Sequence, residues 1–132
     1  MRLIDRLMRV PWAQGRRDWA GADCWGLVEL WYAERFGLAL CDRDAMEQSP
    51  LGVMAAVQIT SEWVKVDRPR DDDVIVMRAQ FGGQVIEHGH VGVFWRGSVL
   101  HTAQAHGAVC QPWTARHVKC RVTAILRHRS LA

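Results

Sequence analysis

Gly21-Ala22-Asp23-Cys24-Trp25-Gly26-Leu27-Val28 runs on as Glu29-Leu30-Trp31-Tyr32-Ala33-Glu34-Arg35-Phe36-Gly37. The stretch reads as an α-helix with a cysteine in its first turn. Asp23 is a good N-cap, because its carboxylate can accept from the free amides one turn in. Cys24, Leu27, Val28 and Trp31 recur at i, i+3, i+4 and i+7, so one stripe faces a core. Gly37 suits the C′ stop. Cys24 then lies where unpaired amides and the helix dipole favour an anion, so a lowered thiol pKa and a nucleophile are expected. On this stretch alone, a buried structural cysteine is the competing reading.

Outward from that helix, 132 residues predict one domain over 1–132 with room for a real core. The hydrophobic share of 49% and charged share of 23% are those of a globular protein. No apolar run reaches the length of a membrane span. Met1-Arg2-Leu3-Ile4-Asp5-Arg6-Leu7-Met8-Arg9 carries charges throughout and lacks the apolar core of a signal peptide. Synthesis in a cytoplasm with no Sec route is therefore expected. The net charge is +3 and the pI is near 8.9, but the arginines are scattered rather than striped with aromatics, which argues against nucleic acid as a partner. Cys24, Cys41, Cys110 and Cys120 include no CxxC pair, which argues against an ordinary zinc site. No metal or cofactor is expected. Cys110 and Cys120 could meet across neighbouring strands, but reduced thiols are the expectation.

Leu3, Ile4, Leu7 and Met8 predict a short first helix ending before Pro11. Val10 to Arg17 reads as a loop delivering Trp12 close to the Cys24 helix. Leu38 to Glu47 reads as irregular, with Asp42-Arg43-Asp44 exposed. Ser49-Pro50 then starts a second helix carrying Leu51, Met54, Ala55, Val57 and Gln58 and reaching towards Trp63. Pro69-Arg70-Asp71-Asp72-Asp73 reads as a charged turn, with Asp71 and Asp72 solvated. From Val74 the period changes to that of strands. Val74 to Met77, His90 to Trp95, Ser98 to Thr102, Ala108 to Gln111 and Arg121 to Leu126 are strands, and Gln80 to Gln84 is a loop. Helices first and strands afterwards predict an α+β fold with an antiparallel sheet, not alternating βαβ units.

Arg96-Gly97 reads as a two-residue hairpin turn. It pairs Trp95 with Ser98, Phe94 with Val99, Val93 with Leu100 and Gly92 with His101. His90 shares a face with Gly92, so His90 and His101 lie diagonally on one face with no side chain between them. A helix-start cysteine and two histidines on one sheet face are the parts of a thiol triad. Cys24 would attack, His90 would move the proton, and His101 would orient His90. His88 shares the face of His90, so parity alone leaves the two open.

Asp23-Cys24-Trp25-Gly26-Leu27-Val28, Asp72-Asp73-Val74-Ile75-Val76-Met77, His90-Val91-Gly92-Val93-Phe94 and Leu100-His101-Thr102, in that order, resemble the NlpC-type cysteine peptidases. The resemblance spans about Pro11 to Thr102. It implies a papain-like fold and cleavage of peptidoglycan stem peptides, typically between γ-D-glutamate and a diamino acid. It implies Cys24 as nucleophile, His90 rather than His88 as base, and His101 as the third residue. Asp23 matches the residue that recognises the free amine of the stem peptide. Trp12 stands where Tyr is usual, and Trp25 where Ser is usual, so both are expected at the substrate. A tryptophan after the cysteine resembles tail-associated members of phages and prophages. That likeness implies a virion-tail component with other tail proteins as partners, acting at the bacterial wall. An inactive tail-tip or assembly protein on the same fold is the alternative.

Overall fold

The computed structural model describes residues 1–40, 62–81 and 83–132. Helix α1 spans Leu3–Leu7, and α2 spans Cys24–Phe36. Asp23 caps α2 as expected, its carboxylate accepting from the Gly26 N–H at 2.7 Å. Gly37 closes α2 in the left-handed region at φ +62°. Leu27, Val28 and Trp31 are buried, and Trp25, Leu30 and Tyr32 join them, so the buried face is wider than the stripe in the sequence. Gly26 has no room for a side chain. A Cβ there would lie 2.1 Å from the Arg16 carbonyl oxygen, because the chain at Arg16 and Arg17 crosses the first turn of α2. That crossing segment is β1 (Arg17–Asp18), paired with β2 (Gly21–Ala22) in a small ribbon that no periodicity announced.

The strands that follow are β3 (Trp63–Val66), β4 (Val74–Phe81), β5 (Gln84–Trp95), β6 (Ser98–Ala103), β7 (Gly107–Pro112) and β8 (Val122–His128). They form one antiparallel sheet in the order β3-β8-β4-β5-β6-β7. A short helix, α3 (Arg116–Lys119), precedes β8. The α+β class read from the sequence is therefore the observed one. The hairpin register is also as expected: Trp95↔Ser98, Phe94↔Val99 and Val93↔Leu100. Arg96 and Gly97 both have positive φ, +47° and +80°, as a turn matched to strand twist requires.

Three expectations need correction. Gln80 to Gln84 is not a loop, since β4 and β5 stay paired out to Phe81↔Gln84. Trp63 does not end a helix. It opens β3, opposite His128, because Trp63-Val64-Lys65-Val66 is extended and pairs with β8. The rest of the expected second helix, with Ser49-Pro50, Cys41 and Asp42-Arg43-Asp44, lies outside the described residues.

The third correction concerns Asp72, which is buried rather than solvated. Its carboxylate accepts from Trp31 Nε1 at 2.8 Å and from Arg35 Nε and Nη2 at 2.9 and 3.0 Å. Its carbonyl accepts from the Tyr32 hydroxyl. Asp73 is 1% exposed and takes Arg127 Nε at 2.9 Å, Arg127 Nη2 at 2.8 Å and the Arg70 N–H at 2.8 Å. Composition marks such a run as polar but cannot say that three elements close over it.

The sheet packs on both faces. Val74, Val76, Val91, Val93, Leu100 and Leu126 face α1 and α2. Ile75, Met77, Val99 and Ile125 form a second core with Val118 of α3. Removing Asp73 would leave the Arg127 guanidinium without its buried partner. Asp73→Ala is expected to lose about 3 kcal/mol of unfolding free energy in urea titration, against less than about 0.5 kcal/mol for Asp67→Ala on the exposed turn.

Candidate active site

His90 and His101 are both buried and hydrogen-bonded, His90 Nε2 lying 2.8 Å from His101 Nδ1. The rings meet edge to face with centroids 5.0 Å apart. The close approach depends on Gly92, where an added Cβ would fall 2.7 Å from the Leu100 carbonyl oxygen and 3.0 Å from His101 Cβ. Pairing sets His90 opposite Met77, on the sheet face away from α2. His88, left open by parity, turns elsewhere: its Nδ1 lies 2.9 Å from Thr123 Oγ1 on β8. An irregularity in the β4–β5 pairing between Met77 and Ala79 separates the two histidines' surroundings.

Cys24 reaches this region from the other side of the sheet. Phe94 directs its N–H and C=O to Asp73 and Asp72. Alternation along β5 therefore turns the Val93 and Val91 amides towards β6. The β5–β6 ladder ends at Val93↔Leu100, and the Val91 amide is taken up by the Cys24 sulfur. The amides of Trp25 and Cys24 itself, at the start of α2, face the same sulfur. The nucleophile candidate thus sits one residue along β5 from His90.

The electrostatics reverse one expectation. The Cys24 thiol is not lowered but pushed up to about 11, chiefly by burial, with the Asp23 charge adding to it. The Val91, Trp25 and Cys24 amides oppose this without overcoming it. Burial likewise drives His90 down to about 3, helped by His101, Arg121 and His106. His101 is lowered too, by burial first, while its bond to Gln111 works the other way. The resting pair is therefore a neutral thiol and a neutral imidazole. Among the described residues no hydrogen bond joins Cys24 to His90, and His90 Nδ1 has no partner.

The remaining site residues divide. Trp12 comes to the start of α2, as expected: it bridges Ala22 in parallel, with Ala13 donating to the Ala22 carbonyl. Asp23 stays partly exposed, and its second carboxylate oxygen accepts from the Gly15 N–H at 3.0 Å. Trp25, expected at the substrate, is buried in the core instead, edge-on to Trp63 at 6.1 Å. Helical spacing explains it, since the residue after Cys24 turns to the side that β3 covers. Gln111 was not anticipated, yet its Oε1 lies 2.6 Å from His101 Nε2. The sequence shows Ala108 to Gln111 as a strand, but that this strand lies beside β6 is a fact of the folded sheet.

The family model described as "NlpC/P60 family" matches residues 9–127. The chain belongs to the NlpC/P60 family. Membership sets it among cell-wall cysteine peptidases at the level of the family. No curated protein matches it in sequence. Among solved structures it is similar to the NlpC/P60 domain of the peptidoglycan hydrolase SagA, at 15% identity, with 94% of this chain and 92% of that one covered and a TM-score of 0.58. It is also similar to a lipoprotein-like NlpC/P60 protein of Staphylococcus aureus, at 17% identity and TM-score 0.60, over 95% of this chain and 38% of that one. A Bacillus cereus NlpC/P60 protein gives 19% identity and TM-score 0.62, over 96% and 40%. These likenesses establish the papain-like α+β fold. The chain spans well under half the length of the last two proteins.

Because His90 is depressed in the fold, the unfolded chain binds its proton first as pH falls. No difference exists above pH 6.5, and stability is lost progressively below it. Unfolding free energy is expected to fall between pH 6.5 and 4.5, and to fall less steeply in His90→Gln, by up to about 1.4 kcal/mol per pH unit. Chemical denaturation across that range measures it.

Proposed function

We propose that this NlpC/P60 chain is a cysteine endopeptidase of peptidoglycan stem peptides, cutting between γ-D-glutamate and a diamino acid. Two observations support the reading: a hydrogen-bonded His90–His101 pair on β5 and β6, and the Val91 and Trp25 amides at the Cys24 sulfur, one residue along β5 from His90. In this reading the Cys24 proton passes to His90 Nδ1 as the sulfur attacks the carbonyl carbon. The amides at the start of α2 stabilise the developing oxyanion. The imidazolium then protonates the leaving amine, and water releases the acyl group from sulfur. His101 holds the His90 ring, Asp23 meets the free amine of the peptide, and Trp12 borders the cleft.

The neutral resting pair supports catalysis in which thiol deprotonation accompanies attack, rather than a standing thiolate. The same observation favours the second reading, a weakly active or inactive tail protein on this fold. Carriage on a phage tail, with tail proteins as partners and the bacterial wall as the place of action, is supported by the Asp23-Cys24-Trp25-Gly26 likeness to tail-associated members.

Incubation with an L-Ala-γ-D-Glu-diamino acid peptide, followed by mass spectrometry, tests the reading. Wild type is expected to release the diamino acid fragment, with Cys24→Ala and His90→Ala each lowering kcat/KM at least about 1,000-fold. The acid limb of kcat/KM should lie well below pH 6.5, since His90 works unprotonated and is depressed. Undiminished cleavage by Cys24→Ala overturns the mechanism, and no cleavage by wild type favours the tail-protein reading.

A further inference from the structure

We infer that Gln111 is a positioning residue that selects the tautomer of His90, through His101; the inference rests on the reading of His90 as the base. The three side chains form one line on one sheet face. His90 Nε2 meets His101 Nδ1 at 2.8 Å, and His101 Nε2 meets Gln111 Oε1 at 2.6 Å. Pairing sets Gln111 opposite Val99, so it stands one rung diagonally from His101, within reach of its ring.

A neutral imidazole has one N–H and one lone pair. Two neutral imidazoles in line with an amide therefore admit only two proton patterns, and which atom of the Gln111 amide faces His101 decides between them. With the Gln111 carbonyl oxygen facing the pair, His101 Nε2–H donates to it. His101 Nδ1 must then accept, and the group that donates to it is His90 Nε2–H. The lone pair of His90 is left on Nδ1, the nitrogen with no partner among the described residues. If the amide nitrogen faced His101 instead, every bond would reverse. His90 Nδ1 would carry a hydrogen and could not take the Cys24 proton. Among the described residues the Gln111 side chain hydrogen-bonds to His101 alone, so its effect on the reaction passes through His101. Arg121, His106 and His117 all oppose a charge on His101, which keeps the line neutral and the choice binary.

The test is long-range 15N–1H correlation spectroscopy of the histidine rings at pH 7.5, on wild type, Gln111→Leu and Gln111→Glu. In wild type both His90 and His101 are expected as the Nε2–H tautomer. Gln111→Leu removes the acceptor and is expected to give His90 a detectable Nδ1–H population, with kcat about 10-fold lower and KM little changed. Gln111→Glu keeps an acceptor oxygen, now of a carboxylate, at the same place and is expected to restore both the tautomer and most of kcat. His90 found as Nδ1–H in wild type, or an unchanged pattern in Gln111→Leu, overturns the inference. If Gln111→Leu does not fold, the wild-type and Gln111→Glu spectra decide it. The tautomers are read without turnover, so correct tautomers in a protein that cuts no stem peptide would overturn the peptidase reading and leave the relay standing.

Discussion

Two adjacent carboxylates decide how the helix lies on the sheet. Asp72 gathers Trp31, Tyr32 and Arg35 from α2, and Asp73 gathers Arg127 from β8. Their backbones exchange hydrogen bonds with Phe94 of β5, at 2.8 Å each way. One turn therefore joins the Cys24 helix to three strands. Asp72 holds this position at φ +77°, a conformation aspartate tolerates better than most residues. An isolated buried carboxylate would be costly, and here each is matched by a guanidinium and by N–H donors. The apolar contacts could be satisfied by small shifts of α2. The bonds to Asp72 could not, because they are directional.

The same anchoring sets the start of α2 against β5. The end of the β5–β6 ladder opens a gap in which the Val91 amide meets the Cys24 sulfur. Gly26 and Gly92 matter for the same geometric reason. Each allows backbone or side chain to approach where a Cβ would collide, with the Arg16 carbonyl in one case and the Leu100 carbonyl in the other. The site is thus assembled by close approach of backbones, and the polar side chains occupy the space that remains.

Desolvation governs the chemistry available there. A helix start offers amides to a thiolate, but burial outweighs them at Cys24 and leaves the thiol protonated. Burial also keeps His90 free of a proton. Two neutral partners are suited to a proton transfer that happens only when a substrate supplies the developing charge. Trp25 and Trp63 pack edge to face in the core beside the site, while Trp12 lies at the start of α2.

Much of this was legible in the residues themselves. The Asp23 cap, the Gly37 stop, the Arg96-Gly97 turn and the pairing of Phe94 with Val99 are local, each decided by a few neighbouring residues. The likeness of Asp23-Cys24-Trp25-Gly26 and His90-Val91-Gly92 to NlpC-type peptidases pointed to the family that the matched residues establish. What the sequence hid depends on distant partners. Asp72 looked solvated because Trp31 and Arg35 lie some forty positions away along the chain. Trp25 reads as a substrate contact because it stands where the resembled family has Ser, whereas its burial depends on Trp63 of β3, distant in the chain. The protonation of Cys24 was misjudged because helix position is local, whereas burial is a property of everything packed around it. Sequence alone determined the helix, the hairpin and the family. Tertiary structure alone decided which charges are buried, which proton Cys24 keeps and that Gln111 ends the histidine line, because each follows from contacts between elements that the chain brings together only on folding.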